Sequence, residues 1–245
     1  MKNEPKLPMD SRLAAAASLV RDGAVIADIG TDHGYLPITL LREGKISFAA
    51  ASDLRRGPLN CAVSNAKKYG VQDRIRFFCT DGLEGIPLVA LHVTDIVICG
   101  MGGELITRIL SKCTYIQDGK IQLILQPMSA VEELRAYLAV SGFAVREECI
   151  ARSRGKLYQC MAVRYDGVSH FYTPAELLLG KQTLMRGAAD PLFVPLLQKY
   201  IQKTQREYAG KRRGCADTTE TVALLKELVQ IAKKEGIDYE RTGIF

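Results

Sequence analysis

The sequence predicts an α/β fold, an open sheet wound with helices and followed by a helical extension. Three observations predict it. Short apolar runs alternate with helix-periodic segments from Val25 to Val140, the pattern of strands joined by crossover helices. The first run, Val25-Ile26-Ala27, opens into an acidic, glycine-spaced turn, Asp28-Ile29-Gly30-Thr31-Asp32-His33-Gly34, the position where such sheets bind nucleotides. Beyond residue 170 the spacing changes to long amphipathic helices.

Taken in order, Asp10 is an N-cap candidate for an alanine-rich helix over residues 10–21, and Arg12 in it is either solvated or a ligand contact. After the acidic turn a helix over 36–42 ends at Gly44. A small-residue strand over 46–52 then delivers Asp53 to its C-terminal end. Asp53 lies about 20 residues past the glycine turn, the spacing of an acid that accepts from ribose hydroxyls; the alternative is a helix cap. A helix over 59–69 is closed by Gly70, and a strand over 74–80 runs into Asp81-Gly82-Leu83, where an acid can meet an adenine amino group. The strand 95–99 leads into Gly100-Met101-Gly102-Gly103, glycines that let backbone press against a flat ligand. A helix over 104–111, a strand over 122–126 ended by Pro127 and a helix over 131–140 stopped by Gly142 follow. Two strands, 143–150 and 156–165, are joined around Arg152-Ser153-Arg154-Gly155. That closing antiparallel hairpin is the topology of class I (Rossmann-like) methyltransferases, whereas dinucleotide dehydrogenases continue with parallel strands.

The predicted domains are 1–168, the sheet, and 169–245, the extension. Thr173-Pro174-Ala175-Glu176 starts a helix. Apolar residues at 193, 197, 200, 201, 204 and 208, then at 222, 225, 228, 229 and 232, mark two helices separated by Gly210 to Gly214, which should fold back as an antiparallel, coiled-coil-like pair. Lys199, Lys203, Arg206, Lys211, Arg212 and Arg213 gather on and beyond the first of them, either a solvated face or a phosphate grip.

Charge indicates the cofactor. Dinucleotide turns seat a diphosphate on N–H groups at a helix N-terminus and favour glycines over acids there. Here Asp28 precedes the turn and Asp32 lies within it, so a cation suits the site better. S-adenosylmethionine, with its sulfonium and ammonium, fits on charge and on the close approach that Gly30 and Gly34 allow.

Bulk composition narrows the rest. The 245 residues are 47% apolar with a net charge of +6, which permits a polyanionic partner without demanding one. The seven scattered cysteines form no C-x-x-C pair and the three histidines no ligand spacing, so neither a disulfide framework nor a metal is expected. Met1 to Lys6 lacks the apolar core of a leader, and no apolar run approaches the ~20 residues of a membrane span. A soluble, cytoplasmic, monomeric protein is expected.

With these motifs in this order the chain resembles the TrmK family of bacterial tRNA (adenine-22-N1)-methyltransferases over residues 12–164 and, in architecture, the tail. The marks are Ala27-Asp28-Ile29-Gly30-Thr31-Asp32-His33-Gly34-Tyr35-Leu36-Pro37, Asp81-Gly82-Leu83, Gly100-Met101-Gly102-Gly103 and Leu123-Ile124-Leu125-Gln126-Pro127. The chain departs from the family at Met128, where Asn is usual, at Asp53, where Glu is more common, and at Asp10, which aligns with a leading Ser. The resemblance implies methyl transfer from S-adenosylmethionine to adenine N1 in tRNA. Together with the readings above, this assigns the cofactor to Asp28, Gly30, Asp32, His33, Gly34, Asp53, Asp81, Gly82, Gly100, Met101, Gly102 and Gly103, with Asp32, His33 and Met101 catalytic. Arg12, Gln126, Pro127, Lys203, Arg206, Lys211, Arg212 and Arg213 are assigned to the RNA. A small-molecule acceptor, or a non-catalytic module that binds S-adenosylmethionine or RNA, remains the alternative.

Overall fold

A computed structural model describes residues 7–237; the reading of Met1 to Lys6 as lacking a leader lies outside them. The Asp10 carboxylate accepts from the Leu13 N–H at 2.9 Å and so starts α1 (Ser11–Ser18). Then come β1 (Ala24–Ile29), α2 (Tyr35–Arg42), β2 (Ile46–Asp53), α3 (Arg56–Lys68), β3 (Ile75–Cys79), β4 (Asp95–Met101), α4 (Gly103–Ser111), β5 (Gln122–Pro127), α5 (Val131–Val140), β6 (Phe143–Ser153) and β7 (Lys156–Tyr165). Before the closing β6–β7 hairpin the strand and helix alternation breaks once. Residues 80–94 pass from β3 to β4 through turns alone.

The strands form one seven-stranded sheet in the order β3-β2-β1-β4-β5-β7-β6. The pairs β1–β2, β1–β4, β2–β3 and β4–β5 are parallel, and β7 is antiparallel to β5 and β6. The order reverses between β1 and β4, which opens a crevice at their carboxyl ends. The central strands are rigid supports for it: β5 is buried along its whole length, and Ile26, Ala27, Ile96, Ile98, Leu123 and Leu125 have no exposed surface. Burying each such isoleucine or leucine contributes about 2 kcal/mol.

Glycine at 103 is dictated by packing. Its N–H donates to the Ser129 carbonyl at 2.9 Å, and a Cβ there would stand 2.0 Å from the Ala130 carbonyl oxygen. Backbone cannot yield as a side-chain tip can, so Gly103→Ala should destabilise the fold by about 3 kcal/mol. Gly23 has open space around it but a φ of +75°, so Gly23→Ala should cost only about 1 kcal/mol. Chemical denaturation of the two variants would check the difference.

By proximity along the fold the chain divides into two compact units, one ending at His170 and the other starting at Phe171. The second holds α6 (Pro174–Leu179), α7 (Lys181–Arg186), α8 (Phe193–Arg213) and α9 (Thr219–Lys234). Thr173 and Glu176 form a reciprocal capping box at the head of α6. The α8–α9 pair is antiparallel: Lys211, late in α8, donates to Thr221 Oγ1 early in α9 at 2.9 Å, and the Ala188 N–H before α8 donates to Glu235 past α9 at 2.7 Å. Phe193, Leu196, Leu197, Ile201 and Leu228 fill the unit's core. The six residues of α7 and the 3-10 turns at Gln72–Arg74, Thr114–Gln117 and Gly187–Ala189 are too short for periodicity to reveal. No helix among the described residues is long and apolar enough to cross a membrane.

Candidate active site

A cavity of about 470 Å³ opens in the first unit at the carboxyl ends of β1 to β4. Its floor is the turn after β1. Gly30 and Gly34 have φ of +71° and +72°, and Asp32 adopts +50°, a conformation that aspartate tolerates better than most side chains. Hydrogen bonds hold that shape. The Thr31 N–H donates to the Ser52 carbonyl at 2.8 Å, the Asp32 N–H to Asp53 Oδ2 at 3.2 Å, and Asn65 Nδ2 to the His33 carbonyl at 2.9 Å.

Asp28 is buried beneath this turn and accepts from Thr31 Oγ1 at 2.6 Å. Burial raises its pKa from an ordinary 3.8 to about 6, with the neighbouring Asp53 adding to the rise and the threonine bond opposing it. No cation pairs with it among the described residues. Burial also pushes the thiol of Cys99, at the end of β4, well above its usual range.

Asp53 ends β2 with both carboxylate oxygens in use, Oδ2 on Asp32 and Oδ1 on the Arg55 N–H at 2.9 Å. It does not cap α3, whose N-cap is Arg55. Asp81 and Gly82 line the cavity just beyond β3. At the end of β4 the pairing register shifts between Cys99 and Met101, and such a bulge re-aims the following side chains. Gly100 takes a φ of +79°, and Met101 lies across the turn so closely that a Cβ on Gly30 would stand 2.3 Å from its methyl.

Of the residues assigned from sequence, the cavity wall gathers Arg12, Asp28, Gly30, Asp32, His33, Asp53, Asp81, Gly82, Gly100 and Met101. Asp32 and His33 sit at its exposed rim, with side chains 61% and 45% exposed and His33 Nε2 3.7 Å from Asp32 Oδ2. The imidazole stacks on Tyr35 with centroids 5.4 Å apart. The remaining assignments lie off the wall. Gly34 packs on Ala62, and Gly102 and Gly103 pack on the Ser129–Ala130 turn. Gln126 is buried with no exposed surface and holds Arg12 and Gly100 through its side-chain oxygen, and Pro127 is buried at the end of β5. In the second unit, Lys211 is committed to Glu207 and Thr221 at 2.9 Å each. Arg206 donates to the Gln202 carbonyl and Lys203 leans toward the Tyr200 ring, whereas Arg212 and Arg213 are exposed.

The cavity also includes residues that sequence reading passed over, among them Arg55, Cys99, Leu105, Arg108 and Ile109. The two on the apolar stripe of α4, Leu105 and Ile109, had a legible signal in their helical spacing. Among the described residues no group of three or more potential ligands could hold a metal.

A methyltransferase-domain model matches residues 9–161. The tRNA (adenine(22)-N(1))-methyltransferase of Bacillus subtilis is 32% identical over 96% of this chain and 99% of its own length. The crystal structure of the B. subtilis M1A22 tRNA methyltransferase superposes with a TM-score of 0.74 at 32% identity, covering 95% of this chain and all of the other. A Streptococcus pneumoniae protein described as a candidate tRNA (m1A22) methyltransferase, crystallised with S-adenosyl-L-methionine, gives a TM-score of 0.78 at 30% identity over 91% of this chain and 99% of the other.

Proposed function

The chain belongs to the TrmK family of tRNA (adenine(22)-N(1))-methyltransferases, and on that premise we propose the roles of its residues in S-adenosylmethionine-dependent methylation of adenine N1, at position 22, in tRNA. The observation that carries this reading is the row of acids at successive strand ends, Asp28, Asp53 and Asp81, around one cavity. They suit the cofactor. A buried carboxylate without a cationic partner wants the ammonium, and the glycine at 30 leaves room for the Met101 methyl over the turn. Asp53 would accept from the ribose hydroxyls and Asp81 from the adenine amino group. When bound, S-adenosylmethionine supplies a methyl already activated by its sulfonium.

The protein's own work is then alignment and charge. Adenine N1 has an in-plane lone pair and needs no proton removed before attack, so a strong general base is unnecessary. The methylated ring is cationic, and Asp32 at the rim stabilises that charge while His33 passes on the proton lost later. Met101, which lines the cavity, would pack beside the reacting atoms. The extension grips the RNA backbone through Arg212 and Arg213, with Lys203, Arg206 and Lys211 beside them, and helps splay the target nucleotide. We read the protein as a cytoplasmic monomer that uses no metal.

The test is incubation of the protein and S-adenosylmethionine with unmodified tRNA transcripts bearing A22 or G22, followed by nucleoside mass spectrometry. N1-methyladenosine only in the A22 transcript is the expected result; binding of the donor without transfer to any transcript would favour the small-molecule acceptor. Converting Arg212 and Arg213 together to glutamate should weaken tRNA binding about tenfold at moderate salt and leave cofactor affinity unchanged. Filter binding and calorimetry would separate the two effects.

A further inference from the structure

Gln126 ties three parts of the first unit together from a position with no exposed surface. Its Oε1 accepts from Arg12 Nη1 at 2.6 Å and from the Gly100 N–H at 3.1 Å, while its Nε2 donates to the Pro127 carbonyl at 2.7 Å. The carbonyl of Pro127 fixes which way the amide faces, and the oxygen therefore points at α1 and at the turn after β4. Arg12 Nη1 in turn lies so close to Gly100 that a Cβ there would be 3.3 Å away.

The guanidinium held this way has donors to spare. Among the described residues Gln126 is its only hydrogen-bond acceptor, since Asp10 stands at 3.6 Å, an ion-pair distance. It carries five N–H groups, its side chain is only 16% exposed, and it lines the cavity. A fixed cation of this kind conflicts with a site that attracts a purely cationic ligand. It fits a ligand that carries one anion beside its positive charges.

Sheet order says where that anion falls. Asp81, Asp53, Asp28 and Gly100 stand at the ends of β3, β2, β1 and β4, which are consecutive in the sheet and about 4.8 Å apart strand to strand. With adenine at Asp81 and ribose at Asp53, the amino-acid end of S-adenosylmethionine lies over β1 and β4. There the carboxylate of Asp28 and the guanidinium of Arg12 would face a zwitterion, whose single negative group is the α-carboxylate.

We propose that Arg12 binds the α-carboxylate of the methyl donor and that Gln126 is the positioning residue that aims it. This rests on the assignment of the cavity to S-adenosylmethionine. It accounts for the buried glutamine at the carboxyl end of β5, and it turns α1, which precedes the sheet, into part of the cofactor site. It also implies that donor recognition depends on the amino-acid end as well as on the nucleoside.

Titration calorimetry with S-adenosylmethionine and with its decarboxylated analogue, which keeps the sulfonium and the amine, tests it. Loss of a charge-assisted hydrogen-bonded pair corresponds to about 30-fold in affinity. The wild-type protein should therefore bind the analogue about 30-fold more weakly than the parent, while Arg12→Ala should bind both alike, at the level of wild type with the analogue. Gln126→Leu should shrink the discrimination to about threefold without abolishing analogue binding, and Arg12→Lys should recover part of it. Equal weakening of both ligands by Arg12→Ala would overturn the proposal. So would unchanged donor affinity with a raised KM for tRNA, the signature of an arginine on an RNA phosphate. Absence of binding of either ligand to the wild-type protein would overturn the cofactor assignment itself, a result distinct from wild-type binding without discrimination, which overturns only the role of Arg12.

Discussion

Asp53→Ala should weaken S-adenosylmethionine binding about 100-fold while the protein stays folded. The carboxylate serves the fold and the ligand at once. Its oxygens receive the backbone N–H groups of Asp32 and Arg55 at 3.2 and 2.9 Å, so the side chain ties the turn after β1 to the loop after β2. Removing it frees both cavity-lining segments and deletes the acceptor for the ribose hydroxyls. Neither segment carries the sheet, whose central strands are buried independently of this residue. Asp53→Glu keeps the charge and the acceptors one methylene farther out and should lose only about fivefold. Calorimetry on the pair, with thermal melts as the folding control, checks this; a loss of less than about threefold in Asp53→Ala would remove the ribose assignment.

Asp28→Asn should stabilise the free protein and weaken its hold on the cofactor. In the folded state the carboxyl titrates near 6, against an ordinary 3.8. Between those values the folded protein binds more protons than the unfolded chain, so this group's contribution to stability is undiminished below about pH 4 and falls as pH rises through 6. At pH 8 the ionised group costs the fold about 3 kcal/mol. Asparagine avoids the cost and still accepts from Thr31 Oγ1, which lies 2.6 Å from the wild-type carboxylate. Denaturation should therefore show a gain for the variant at pH 8 that vanishes near pH 4. A bound cation reverses the balance, because it favours the ionised form. Wild-type affinity for S-adenosylmethionine should fall as pH drops below 6, and the variant should bind weakly at every pH. A variant no more stable than wild type at pH 8 would show that the carboxylate is not held at a cost.

The strand-end acids were legible because each closes an apolar run, and a parallel sheet delivers the ends of its strands to one crevice. The glycines were legible as a group but not in their separate duties. Gly30 admits the Met101 methyl, and Gly34 and Gly103 admit Ala62 and the Ala130 carbonyl, contacts made by residues far off in sequence. Gln126 was read as a substrate contact from its neighbours in the motif; its burial and its bond to Arg12, 114 residues away, are facts of packing. The sequence reading placed no helix between β3 and β4, and the structure has only turns there. Apolar residues such as Leu83, Ile86, Leu88 and Val93 are buried there by turns rather than by periodic structure. Cavity residues such as Arg55 and Arg108 lie on exposed stretches, where nothing in the local pattern says which way a side chain faces.

The central claim is that a row of carboxylates along consecutive strand ends, completed by one arginine, holds a positively charged methyl donor in a single direction. A crystal structure of the protein grown with S-adenosylmethionine tests it most directly. The predicted result has adenine at Asp81 and Gly82, the ribose hydroxyls on Asp53, the ammonium at Asp28, the α-carboxylate on Arg12 and the sulfonium methyl beside Met101 and Asp32. A donor lying in the opposite direction, or an empty cavity with the donor bound elsewhere on the molecule, would contradict it.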